Sequence, residues 1–194
     1  EVINHIMLNG SPEDLATDNT SLFVTIMYID YNNGWDGSNL ISQINLTTSE
    51  IDTTYEVQSS PINIEYNNQK LYITSYSWSS IIDLSSKVVN TVNNVDGNYG
   101  NDITVYNNTV YRVYNKGIIS MDDELNLLED TYIDATTNNT IYSMSINSDL
   151  IYLGVTDDWQ SPDSVFVLDF EGHEVSRYEV NGASPGSFAF WKSE

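Results

Sequence analysis

Four segments of this chain open on the same kind of apolar strand, and they recur at nearly even intervals. They read SLFVTIMY (21–28), KLYITSYS (70–77), TVYRVYN (109–115) and LIYLGVT (150–156). Leu22, Leu71, Val110 and Ile151 hold matching places, spaced by 49, 39 and 41 residues. A regular period confines a chain to repeat architectures, because each unit must bury its apolar face on a neighbour. A second apolar run follows each opening: LISQINL (40–46), SIIDLS (80–85), GIISMD (117–122) and SVFVLDF (164–170). Then come a tight polar turn and a third run: EIDTTYEV, KVVNTVNN, LNLLEDTYI and EVSRYEV. A loop leads to the fourth run, which restarts the cycle: SPINIEY (60–66), GNDITVY, TIYSMSI and SPGSFAF (184–190).

These runs are short, rich in β-branched and aromatic residues, and bounded by turn formers, so they read as strands. Tyr-Asn-Asn-Gln (66–69), Tyr-Asn-Asn-Thr (106–109) and Ile-Asn-Ser-Asp (146–149) read as hairpin turns, since Asn tolerates left-handed backbone. Pro12, Pro61 and Pro185 each stand near the start of a strand, where no ladder N–H is needed. No segment reads as a helix. Four short strands per unit at a period near forty residues is the pattern of a β-propeller blade; a β-sandwich lacks such a period. The fold class expected is all-β, a propeller of four-stranded blades with strands a to d running outward from the hub.

Blades are expected at 11–57, 60–93, 101–133 and 140–180 within a single domain, 1–194. EVINHIML (1–8) reads as a lone outer strand d, and SPGSFAFW (184–191) as a lone closing inner strand a. A closing strand a needs strands b, c and d, and the sequence offers only d. The chain is therefore expected to be N-terminally incomplete, part of a larger ring; a closed four-bladed ring with stray ends is the alternative.

Charge narrows the partners. The chain carries 28 acids against six bases, a formal net charge of −22. Such a surface repels phosphate backbones and anionic headgroups, so neither nucleic acid nor membrane is an expected partner. No apolar stretch is long enough to span a bilayer as a helix. Cysteine is absent, which excludes disulfides, thiolate metal sites and a Cys nucleophile. The two histidines, His5 and His173, are assigned to an outer strand and a turn on the opposite side from the tryptophan-bearing loops; with them no Ser/His/Asp set or His metal site assembles by position. There is no Gly-rich phosphate loop. The chain is accordingly read as no enzyme, without cofactor or metal.

Alternation of strand direction puts the b–c and d–a loops on one side of the disc. Trp35, Trp78 and Trp159 fall in b–c loops, and Tyr99 in a d–a loop. Aromatics from successive blades on one side make a platform for stacking on rings or on protein side chains. Carboxylates flank them, Asp30 and Asp36 around Trp35, and Asp157, Asp158 and Asp163 around Trp159. The candidate ligand-binding set is Trp35, Asp36, Trp78, Tyr99, Asp158 and Trp159. DYNNGWDG (30–37) also has the oxygen ligands of a calcium loop, without EF-hand spacing or a terminal Glu.

The repeat resembles the YncE-like, forty-residue-repeat propellers of secreted proteins. The ending HEVSRYEVNGASPGSFAF (173–190) is similar to that of surface lipoproteins of Bacteroidota, in which a final G-x-x-P-x-x-F phrase supplies the closing inner strand. The resemblance implies a ring of about seven blades and an extracellular or outer-membrane-associated location. It implies capture of a small molecule, a vitamin B12-like corrinoid in some relatives, or of a glycan, with handover to an outer-membrane transporter or other surface protein. A scaffold subunit of an outer-membrane assembly is the alternative. No ligand-contact motif matches residue by residue.

Overall fold

The structure is a computed structural model that describes residues 5–30, 36–93, 102–135, 137 and 140–191. Four separate four-stranded antiparallel sheets account for its strands. The first is β1 (Ser11–Thr17), β2 (Ser21–Asp30), β3 (Asp36–Asn45) and β4 (Ile51–Glu56). The second is β5 (Asn63–Asn67), β6 (Lys70–Thr74), β7 (Ser79–Asp83) and β8 (Val89–Val92). The third is β9 (Ile103–Tyr106), β10 (Thr109–Tyr114), β11 (Gly117–Met121) and β12 (Ile133–Asp134); the fourth is β13 (Thr140–Asn147), β14 (Leu150–Thr156), β15 (Ser164–Leu168) and β16 (Glu174–Glu179). In every sheet the spatial order equals the chain order. These are the four blades of a β-propeller fold, and their limits follow the sequence period closely.

The turns explain why the period is so regular. Strands a and b are joined in three blades by two residues that both have positive φ: Asn68 and Gln69, Asn107 and Asn108, Ser148 and Asp149. This is the type I′ hairpin, whose twist matches that of the strands. Between strands c and d, one side chain organises each turn: Asn45, Asp83, Asp122 and Asp169 accept backbone N–H groups two to four residues onward. Part of the acidity is thus turn chemistry. The hydroxyl of Ser85 with the N–H of Ser86 holds the Asp83 carboxyl down at about 2.

The blades fall into two compact units, Glu1–Asn93 and Asn94–Glu194. In the first unit, Phe23, Ile41 and Tyr55 on one face of blade one pack with Ile64, Leu71, Ile73, Trp78 and Ile82 of blade two. In the second, Val113 and Ile118 of blade three pack with Ile141, Ile151, Leu153, Val155 and Phe166 of blade four. We call the side turned toward the following blade the forward face. An aspartate stitches each pair. Asp14 accepts the N–H of Leu15 through Oδ1 and of Ile64, in the next blade, through Oδ2, both at 2.8 Å. Asp102 does the same for Ile103 at 2.8 Å and Met144 at 2.6 Å.

Three expected strands differ. LNLLEDTYI does not form a continuous strand d. Leu127 makes one bridge to Met121, a single 3₁₀ turn covers Glu129–Thr131, and β12 is two residues long. The Thr131 hydroxyl accepts the Ser120 N–H and donates to the Leu128 carbonyl, replacing ladder bonds with side-chain bonds. Residues 5–8 and 185–191 lie outside all four sheets, because a strand requires a ladder partner and neither has one among the described residues.

Candidate functional site

Of the six sequence-predicted ligand residues, the structure describes four. Trp35 and Tyr99 lie outside the described residues, as does most of the calcium-like 30–37 stretch; Asp36 is described only as the first residue of β3. Trp78 is 4% exposed, and its indole Nε1–H donates to the Ser59 carbonyl at 3.1 Å. It belongs to the core between blades one and two, so its assignment to a stacking platform is corrected. The loop that carries it is short, and its side chain folds back over the blade behind it. Asp158 and Trp159 remain, on the loop between β14 and β15.

That loop is built to present Trp159. Asp158 Oδ1 accepts the N–H groups of Gln160 (2.9 Å) and Ser161 (2.7 Å), and Oδ2 accepts the Ser161 hydroxyl (2.7 Å). These bonds, first the Ser161 N–H and hydroxyl and then the Gln160 N–H, hold the Asp158 carboxyl below its ordinary 3.8. Asp163, buried at the loop's other end, accepts the N–H of Asp157 at 3.2 Å and of Ser184 at 2.6 Å. Between them Trp159 adopts φ 64°, with its N–H donating to Thr156 Oγ1 at 3.2 Å. A bulky residue in the left-handed region costs about 1–2 kcal/mol and persists only where its surroundings enforce it.

Tyr142 completes the site, and sequence reasoning missed it. Ile141 pairs with Val155 and Ser143 with Gly154, so Tyr142 is the extra residue of a β-bulge at the start of β13. Bulges re-aim side chains and are enriched beside functional sites. Here the ring meets Trp159 edge to face, centroids 5.4 Å apart and planes at 86°. Both stay open to solvent, Tyr142 at 40% and Trp159 at 42%. Gly186 lies alongside, where an added Cβ would sit 3.5 Å from the Tyr142 ring. The one available signal was alternation: Tyr142 stands between Ile141 and Ser143, both buried. The pair offers an exposed edge-to-face aromatic surface, suited to a ring with one apolar face.

Elsewhere, Asp169, Glu171 and His173 place one ligand atom each within 4.8 Å, the one such group among the described residues. Asp169 is already the acceptor that shapes this turn, bonding His173 through both its N–H and Nδ1. Arg112 is 1% exposed, with Nε donating to the Val113 carbonyl at 3.2 Å; burial lowers its guanidinium to about 10. No helix among the described residues is long and apolar enough to cross a membrane.

No protein-family model matches the chain, and no curated protein matches it. Solved structures do. Hydrazine synthase of Kuenenia stuttgartiensis superposes with a TM-score of 0.72 at 14% identity, covering 93% of this chain and 52% of that one. The computationally designed protein Ika8 gives 0.64 at 13% identity, over 94% and 53% of the two chains. U3-55K gives 0.62 at 13% identity, over 86% and 49%. The chain spans about half the length of these three. At such identity the likeness speaks for the propeller fold alone.

Proposed function

We propose that this chain is a non-catalytic binding propeller that takes a small molecule or a glycan on the β14–β15 loop of its fourth blade. The supporting observation is the meeting of two local irregularities at one point. Trp159 in left-handed backbone and Tyr142 on a bulge converge as an exposed aromatic pair. Both rings stay partly open to solvent, Tyr142 at 40% and Trp159 at 42%. A strained residue whose ring is left partly open argues for a surface used in recognition. The corrinoid, the extracellular or outer-membrane-associated location and a transporter or other surface protein as recipient rest on the resemblance to YncE-like surface propellers.

Calorimetric titration with cobalamin, cobinamide and a panel of neutral oligosaccharides tests the reading. Binding that Trp159→Ala weakens at least tenfold, with the melting temperature unchanged, is the expected result. Equal affinity in wild type and variant moves the ligand away from this loop, and no heat with any probe removes the small-ligand reading. A scaffold subunit is the second reading. It is favoured by further exposed aromatics, Tyr178 at 58% on β16 and Trp191 at 85% in the closing segment.

A further inference from the structure

Three Asn-Gly pairs stand in this chain: Asn9-Gly10, Asn33-Gly34 and Asn181-Gly182. The second lies outside the described residues, and the other two sit in opposite surroundings. Gly10 is half-buried, and a Cβ added there would collide with the Tyr28 carbonyl and the Ile26 side chain. A Cβ added at Gly182 would meet nothing within 4 Å. Asn181 and Gly182 are both exposed. Neither the Gly182 N–H nor the Asn181 side-chain amide makes a hydrogen bond among the described residues.

The openness of Asn181 belongs to its loop. Blades one and four leave strand d through matching segments. Val57 donates to the Asn39 carbonyl of β3 at 2.8 Å, and Val180 to the Asp163 carbonyl, just ahead of β15, at 2.9 Å. Each segment ends in the same seat, a left-handed serine before proline: Ser60 at φ 61° and Ser184 at φ 54°. Gln58 and Ser59, between those ends in blade one, are exposed even though blade two follows. Asn181 follows its hydrogen-bonded valine as Gln58 does, and it is exposed in the same way.

We infer that Asn181 is a site of spontaneous modification, converting to aspartate and isoaspartate and thereby loosening the β14–β15 loop. The Gly182 backbone nitrogen attacks Asn181 Cγ and gives its proton to solvent. The new C–N bond closes a five-membered imide, the Cγ–Nδ2 bond breaks, and Nδ2 leaves as ammonia. Water then opens the imide at one carbonyl to give aspartate, or at the other to give isoaspartate, whose backbone is one methylene longer. Glycine suits the step, because it has no Cβ to shield the attacking nitrogen and its backbone turns freely. Two bonds to one residue bracket Asn181: the Val180 N–H donates to the Asp163 carbonyl at 2.9 Å, and the Asp163 N–H donates to the Gly182 carbonyl at 3.1 Å. A methylene inserted between them breaks their spacing. Asp163 also holds the N–H groups of Asp157 and Ser184, so the change reaches the loop that carries Trp159. This inference stands apart from the ligand reading.

Peptide mapping by mass spectrometry, on the 194-residue chain held at mildly alkaline pH, is the test. Asn181 is expected to exchange its amide for an acid at least tenfold faster than Asn9 in the folded chain. In urea the two rates should converge, because the fold no longer distinguishes them. Gly182→Ala is expected to slow the reaction at Asn181 at least tenfold. Hydrogen exchange at the Asp157 and Ser184 N–H groups should quicken in the isoaspartate-bearing fraction. It should keep its native rate in Asn181→Asp, which adds the charge without the methylene. An Asn181 that retains its amide, or that reacts no faster than Asn9 in the fold, overturns the site. Native exchange at Asp157 and Ser184 in the isoaspartate fraction, or equal quickening in Asn181→Asp, overturns the effect on the loop.

Discussion

The forward faces of blades one and four are built from the same positions and end in opposite conditions. Phe23, Ile41 and Tyr55 on blade one are 0%, 0% and 6% exposed. Their counterparts by register are Tyr152, Val165 and Tyr178, of which the first two are half-buried and Tyr178 is 58% exposed. Pro61 is buried and Pro185 half-buried, although each follows a left-handed serine in the same seat. The repeat dictates the seat through turn chemistry and a few side-chain anchors. Burial depends on what packs next, and here strands β6 and β7 supply Leu71, Ile73 and Ile82 only to blade one. Residue choice tracks that difference: tyrosine replaces phenylalanine at the place equivalent to Phe23, keeping a polar tip where solvent remains.

The largest expected contrast comes from emptying the two faces. Phe23→Ala removes a ring with no solvent exposure and should cost about 3–5 kcal/mol, read by urea denaturation. Tyr152→Ala should cost less than half as much, because its site is already half open. Equal losses would mean that blade four's face is as tightly covered as blade one's.

The tryptophans sharpen the same comparison. Trp78→Ala opens a cavity and orphans the Ser59 carbonyl, at about 3–5 kcal/mol. Trp159→Ala should leave stability within about 0.5 kcal/mol, since alanine keeps the Cβ that disfavours φ 64° and the lost ring is an exposed one. A destabilisation of Trp159→Ala similar to that of Trp78→Ala would make Trp159 a structural residue and end its candidacy as a ligand contact.

The stitch between blades comes next in size. Asp14→Ala leaves the Ile64 N–H without its acceptor and should cost about 1–3 kcal/mol. Its pH dependence has a definite sign. Burial outweighs the N–H bonds from Ile64 and Leu15 and raises the Asp14 carboxyl above 3.8 in the fold. The protonated form is thus favoured by folding, so its stabilisation is complete below pH 3.8 and is lost as pH rises through the raised value. Denaturation across that interval should show this decline in wild type and its absence in Asp14→Asn.

The four blades were legible because the signals that define them are local. Two-residue turns such as Asn107-Asn108 and the apolar alternation of each strand need no knowledge of distant contacts. The site was less legible. Trp78 and Trp159 occupy the same type of loop and read alike, yet Trp78 is captured by a carbonyl nineteen positions away in sequence, at Ser59. Trp159 is held outward by Asp158 and Thr156. Only the longer loop has room for the aspartate turn that does this. Tyr142 was hidden for another reason: a bulge adds one residue to one strand, and periodicity alone does not mark which. The strand reading of 125–133 failed where the Thr131 hydroxyl took over backbone bonds.

The smallest expected effect isolates one hydroxyl on each face. Tyr55 donates to Gln43 Oε1 at 2.9 Å, and Gln43 in turn donates to the Ser21 hydroxyl at 3.0 Å. Burial raises the Tyr55 phenol above its ordinary 10.0, consistent with a group shielded from water. Tyr55→Phe keeps the ring, removes the donor and leaves Gln43 one bond short, which should cost about 1 kcal/mol. Tyr178 stands at the matching place on blade four but is 58% exposed, and water replaces whatever its hydroxyl loses. Tyr178→Phe should therefore fall within about 0.5 kcal/mol of wild type. The difference between the two variants measures how far blade four's forward face remains solvated.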